Sequence, residues 1–215
     1  MKKTVISALM FFMALTVVHA QTTGKFDVGF RFGAQIGMHK TDSDFDHWLK
    51  INNLTKESLP NVNMALFGAY GFTNYIGLQT ELNFKFGQGI KGRDGSSWVD
   101  TTYSSLDIPL LLKINFLPSA SRFGILAGPY FTAALGKANT KYTGFSNDDE
   151  KNDIDAPNFG FTAGLFYAHP IGFGSAIVDI RYNTDFGQST IKLPADFGFM
   201  QRRGIVISVG IGVSI

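Results

Sequence analysis

Phe26-Asp-Val-Gly-Phe-Arg-Phe-Gly-Ala-Gln-Ile-Gly-Met38 alternates without a break. Its even positions read Phe26, Val28, Phe30, Phe32, Ala34, Ile36 and Met38. Its odd positions read Asp27, Gly29, Arg31, Gly33, Gln35 and Gly37. Successive side chains of a strand point to opposite faces, so this is one long strand with an apolar face and a small or polar face.

Working outward, the same period of two recurs. Val62 to Phe72 and Ile76 to Phe86 carry a second and third apolar face, the latter set against Gln79, Glu81, Asn83 and Lys85. Leu106 to Phe116 carries a fourth, against Asp107, Lys113 and Asn115, and Phe123 to Leu135 a fifth. Phe159 to Tyr167, Ala176 to Tyr182 (against Asp179, Arg181 and Asn183) and Ile205 to Ile215 complete the set. That makes eight strands, an even number. Most match the roughly 9–11 residues that a tilted strand needs to cross a bilayer, and exceed the roughly 5–6 of an ordinary strand.

The connections alternate too. Segments 73–75, 117–122 and 168–173 are short, whereas 39–61, 87–101, 137–157 and 185–202 are long. Short turns on one side and long loops on the other suit an all-β, eight-stranded antiparallel up-and-down transmembrane barrel with periplasmic turns and four extracellular loops. A soluble barrel would alternate as well, with its apolar face inward. The polar face here is crowded with glycine, including Gly29, Gly33, Gly124, Gly128, Gly164, Gly210 and Gly212. Small residues fit a cramped lumen, while a face turned to water would carry many Lys and Glu. Pro109 and Pro129 fall inside strands, and a β-bulge at each would shift face parity beyond it.

Composition narrows the function. Of 215 residues 45% are hydrophobic and only 17% charged, against roughly 25% charged in an average soluble domain. With no cysteine, a disulfide scaffold, thiolate chemistry and a lipidated N-terminal cysteine are excluded. Lys2 and Lys3, an apolar run from Val5 to Val18 and Val18-His19-Ala20 read as a secretory signal over residues 1–20, cut between Ala20 and Gln21. The barrel is then 21–215. Without the two leader lysines, the remaining basic residues equal the 17 acidic ones. No basic tract points to nucleic acid.

Tyr103-Ser-Ser-Leu-Asp-Ile-Pro109-Leu-Leu-Leu-Lys113-Ile-Asn-Phe116 and Gly124-Ile-Leu-Ala-Gly-Pro129-Tyr-Phe131 resemble two successive strands of the small outer membrane protein beta-barrel domain family. This is the porin-like, PorT-type group, akin to eight-stranded OmpA- and OmpX-like barrels. The resemblance implies an eight-stranded barrel in the outer membrane. PorT-type members take part in secretion, so a secretion or transport accessory or a narrow pore stands beside a structural role.

Chemistry-bearing residues are few. Asp42, Asp44 and Asp46 imitate the start of a calcium loop, but His47 and Asn53 stand where glycine and glutamate are required. His39, Ser43 and Asp46 could be drawn as a hydrolase set at the outer rim, though their spacing matches no motif. No catalytic, metal or cofactor site is assigned. The informative residues are the charges on the polar face: Arg31, Glu81, Lys85, Asp107, Lys113, Asp179 and Arg181. Four basic against three acidic groups suggest an internal plug of ion pairs rather than a selectivity ring of one sign. Counting along neighbouring strands predicts Glu81 with Lys113 and Lys85 with Asp107. The reading is a non-enzymatic barrel, partnered by outer-membrane lipid and, through its loops, by envelope or secretion proteins.

Overall fold

A computed structural model describes residues 25–95, 97–116, 121–144, 149–155, 158–187, 190–191 and 200–215. The leader and its Ala20–Gln21 junction lie outside the described residues. Eight long strands run in chain order: β1 (Lys25–Gly37), β2 (Asn61–Gly71), β3 (Ile76–Asp94), β4 (Ser97–Asn115), β5 (Arg122–Ala134), β6 (Asn158–Ile171), β7 (Gly174–Asp185) and β8 (Arg203–Ser214). Each pairs antiparallel with the next, and β8 returns to β1 from Asp27↔Ser214 to Gly37↔Gly204. The ring is closed, so its ladders leave no open edge, which is the condition for strands to stand in lipid.

Parity follows the sequence. Outward residues stay exposed although they are large and apolar: Phe30 41%, Leu66 54%, Ile207 51%. Soluble monomers rarely show contiguous apolar patches beyond a few hundred Å², whereas here the belt circles the barrel. Aromatics border it at the short turns, where Tyr70 meets Phe72 edge-on at 5.2 Å and Phe116 meets Phe123 at 5.7 Å. Toward the loops, Phe131 meets Phe159 at 5.4 Å. Such girdles sit where lipid gives way to water.

The prolines do not bulge. Register is unchanged from Pro109↔Tyr130 to Leu112↔Ala127, and from Asn158↔Thr132 through Phe161↔Pro129. The ladder skips instead. Between β3 and β4 the pairs that would hold Glu81 and Leu82 are absent, and Thr80 Oγ1 donates to the Pro109 carbonyl at 3.0 Å. A local gap beside each ring costs a ladder bond or two, where a bulge would invert a whole face. Leu111 therefore points inward and is fully buried.

The bulge lies at Gly87. Lys85 pairs with Ser105, but Gln88 pairs with Tyr103. Gly87 takes a left-handed φ of 71°, which glycine adopts without Cβ strain. Beyond it Gln88, Ile90 and Gly92 face inward, while Lys91 and Arg93 face out. The segment 87–101, expected as a loop, continues β3 to Asp94 and β4 from Ser97, with a turn at Gly95. Its glycine-rich, parity-broken sequence hides a strand. The other long segments carry structure as well. Strand 55–59 joins the outer half of β3, strand 138–143 joins the outer half of β4, and 150–152 adds to 138–143.

Helix α1 (Ser43–Ile51) packs on the inward face of this extended sheet. Asp42 caps it, accepting from the Asp44 N–H at 3.2 Å. Asp44 and Asp46 in the first turn and Lys50 in the last suit the helix dipole. Phe45 and Leu49, one turn apart, bury against Leu54, Ile90, Tyr103 and Ala138. The three aspartates that imitate a calcium loop thus have other work, with Asp46 bonded to Thr41 at 2.6 Å and Lys56 at 2.8 Å.

Candidate functional site: the closed lumen

The inward face of the barrel carries charge in tiers. In the lower tier, Arg31 on β1 forms ion pairs with Glu81 on β3 and Asp179 on β7. Arg181, two residues along β7, donates to Glu81 Oε1 at 2.8 Å and to Asp179 Oδ2 at 3.3 Å. Gln79 Nε2 donates to Glu81 Oε1 at 2.6 Å. Two guanidiniums and two carboxylates so form a ring of alternating charge across the lumen, each residue no more than 5% exposed. Glycines make room for the long stems. A Cβ at Gly210 would collide with Arg31, and one at Gly164 with Arg181.

The upper tier centres on Arg202, just before β8. Its Nε and Nη2 grip Asp185 at 2.7 and 2.9 Å, a two-point fork. Nη1 reaches Ser105 at 3.1 Å and Asp107 at 3.3 Å, and Nη2 also reaches Thr132 at 2.6 Å. Lys85 Nζ meets Asp107 Oδ2 at 2.7 Å. Tyr130 donates to Asp185 at 2.6 Å and Thr132 to Asp107 at 2.8 Å. One arginine thereby links β4, β5 and β7 across the bore. Taking ions out of water is repaid only when geometry is good and the remaining lone pairs are bonded, as both oxygens of Asp107 and of Asp185 are.

Between the lower tier and the short turns, Leu111, Leu126 and Phe166 form one buried apolar cluster in the lumen. At that end Arg122 bonds Asp27 at 2.9 Å, and Ser214 also donates to Asp27. Lys113 lies over the Phe166 ring at 4.8 Å.

The structure brings Lys85 and Asp107 together. It does not bring Glu81 to Lys113. Lys113 stands opposite Gly77, so Glu81 is four residues further along the same strand, about 13 Å at the usual rise. Counting from the strand ends sets Ile76 opposite Phe116, whereas it pairs with Ile114, a stagger two residues different. Glu81 finds its partners across the lumen instead.

Asp185 and Arg202 escape a sequence reading because both sit at the ends of a segment read as loop. A signal existed. Asp185 shares parity with Asp179, Arg181 and Asn183, and Arg202 with Gly204 and Ser208. The rim set is not assembled. Ser43 Oγ donates to Asp42 at 3.1 Å, Asp46 holds Thr41 and Lys56, and His39 is buried apart from both bonds.

His39, above β1, makes a pH prediction. Burial, and after it the Arg202 guanidinium, lower its pKa to about 4. A base held neutral in the folded state gives full stability above its ordinary value near 6.5. That stability declines as pH falls from there toward 4, because the unfolded form takes up the proton first. Asp46, held below the usual carboxylate range against its burial by bonds from Lys56 and Thr41, would act only at lower pH. The protection of the α1 amides, taken relative to their intrinsic exchange rate at each pH, is therefore expected to fall between pH 7 and 4.5, and His39→Leu to flatten that response. An unchanged pH response in His39→Leu would refute the assignment.

A closed ring of eight lipid-facing strands around an ion-paired lumen defines an integral outer-membrane barrel. The chain belongs to the outer membrane protein beta-barrel domain family, whose model matches residues 19–190, and its place is the bacterial outer membrane. The outer membrane protein OprG from Pseudomonas aeruginosa is similar in fold, with 13% identity and a TM-score of 0.53 over 91% of this chain and 97% of that one. Neisserial surface protein A is similar at 11% identity and a TM-score of 0.51, over 89% and 99%. No curated protein sequence matches the chain.

Proposed function

We propose that the protein is a non-enzymatic, non-conducting barrel that works through its extracellular surface, in envelope structure or in contact with envelope proteins. Arg202 carries the first half of this reading. It bonds residues of three strands at once, in a lumen that eight strands make only wide enough to fill with side chains. The outward face of the extended sheet supports the second half. The register lines up Glu57, Lys91, Asp100 and Lys141 in one row of alternating sign. Complementary charge of this kind serves recognition and register more than raw affinity. Export by a leader cut after Ala20 belongs to the same reading.

Planar-bilayer recording tests it. The wild-type barrel is expected to give no steady conductance. A stable, ion-selective step would overturn the closed lumen and favour a narrow pore.

A further inference from the structure

We infer that Lys113 anchors a binding site for a small monovalent anion, of the size of chloride, at the periplasmic end of the lumen. Lys113 is only 8% exposed. Its ammonium has no hydrogen bond or ion pair among the described residues; it rests only on the face of Phe166. A cation–π contact offsets part of the loss of water around an ammonium, not its charge.

The neighbouring charges do not supply a counter-ion. The charges that line the space beside Lys113 are Arg31, Arg122 and Arg181 against Asp27 and Asp179, three cations and two anions. Asp27 is already held by Arg122 on one oxygen and Ser214 on the other. Asp179 and Glu81 are held by Arg31 and Arg181. The upper tier balances as well, Lys85 and Arg202 against Asp107 and Asp185. Among the described residues every other buried charge thus has its opposite, and the single excess charge of the lumen is Lys113.

Beside it lies a cavity of about 20 Å³, lined by Lys113, Arg122, Gln79 and Ser175 and also by the carboxylates Asp27 and Asp179. That is room for one particle near the size of a water molecule. Its lining includes donors: the Lys113 ammonium, the Ser175 hydroxyl, and Gln79, whose amide has a second N–H beyond the one given to Glu81. Four cations, Arg31, Lys113, Arg122 and Arg181, face this space against the two carboxylates, and that excess suits an anion better than water, which would leave the charge unbalanced.

The test uses the full mature barrel refolded in zwitterionic micelles. Sodium chloride is titrated against sodium gluconate at constant ionic strength, so that general screening is fixed. The melting midpoint of the wild type is expected to rise with chloride and saturate, as it does for a ligand that binds only the folded form. Lys113→Gln is expected to lose the saturable rise. An equal response in both proteins, or none in the wild type, would overturn the site. Should Lys113→Gln fail to fold, crystals of the wild type grown in bromide decide. An anomalous peak in hydrogen-bond range of Lys113 Nζ upholds the site, and its absence there refutes it.

Discussion

Arg202→Ala is expected to lower the stability of the barrel by about 3–5 kcal/mol, the cost of breaking a buried ion pair and leaving charge behind. The substitution strips Asp185 of a two-point partner and Asp107 of one of its two cations. It also leaves Thr132 and Ser105 without the donor that crosses to them. Lys85 still neutralises Asp107, but Asp185 keeps only the neutral donors Tyr130 and Asn158. Arg202→Lys should recover part of the loss, since charge returns without the planar fork. Urea unfolding from lipid vesicles measures both. The alanine variant should also admit water and give flickering conductance where the wild type gives none. A loss below about 1 kcal/mol, the range of exposed pairs, would show that the tier is solvated.

Glu81→Gln is the second large effect, again expected at about 3–5 kcal/mol. Glu81 separates Arg31 from Arg181 and bonds both. Without its charge two guanidiniums share Asp179 alone. Removing one of them should then help. The double variant Glu81→Gln/Arg181→Gln is expected to be more stable than the sum of the single changes allows, because the three groups act as one network. Strict additivity would mean that the ring of four charges does not exist in the folded barrel.

The comparison of these two tiers shows how far the sequence can be read. The period of two in Phe26–Met38 and its seven counterparts is local, so strand number, facing and the lipid belt were open to inspection. Lys85 and Asp107 sit on adjacent strands joined by one hairpin, and a count along the chain found them. Glu81 depends on Arg31 and Arg181, which lie 50 and 100 residues away and meet it only because β8 closes on β1 with a particular stagger. Nothing local encodes that closure. The prolines misled in the other direction. A bulge was the cheapest inference from a missing donor, whereas the protein absorbs each ring in a skipped ladder pair. Gly87, one glycine among 24, made the real bulge and carried no distinguishing mark.

That one glycine also sits at a change of solvent. Below it on β3 the even-numbered residues Phe84 and Phe86 turn their rings to hydrocarbon. Above it the even-numbered Ile90 turns inward to Phe45 and Leu49, and Lys91 and Arg93 are left outside. A strand with unbroken alternation would have carried Ile90 into open water and driven the lysine inward. By adding one residue at the membrane's outer boundary, β3 passes from an inside-out protein to an ordinary one. The same hairpin obeys lipid's rules at its base and water's rules at its tip.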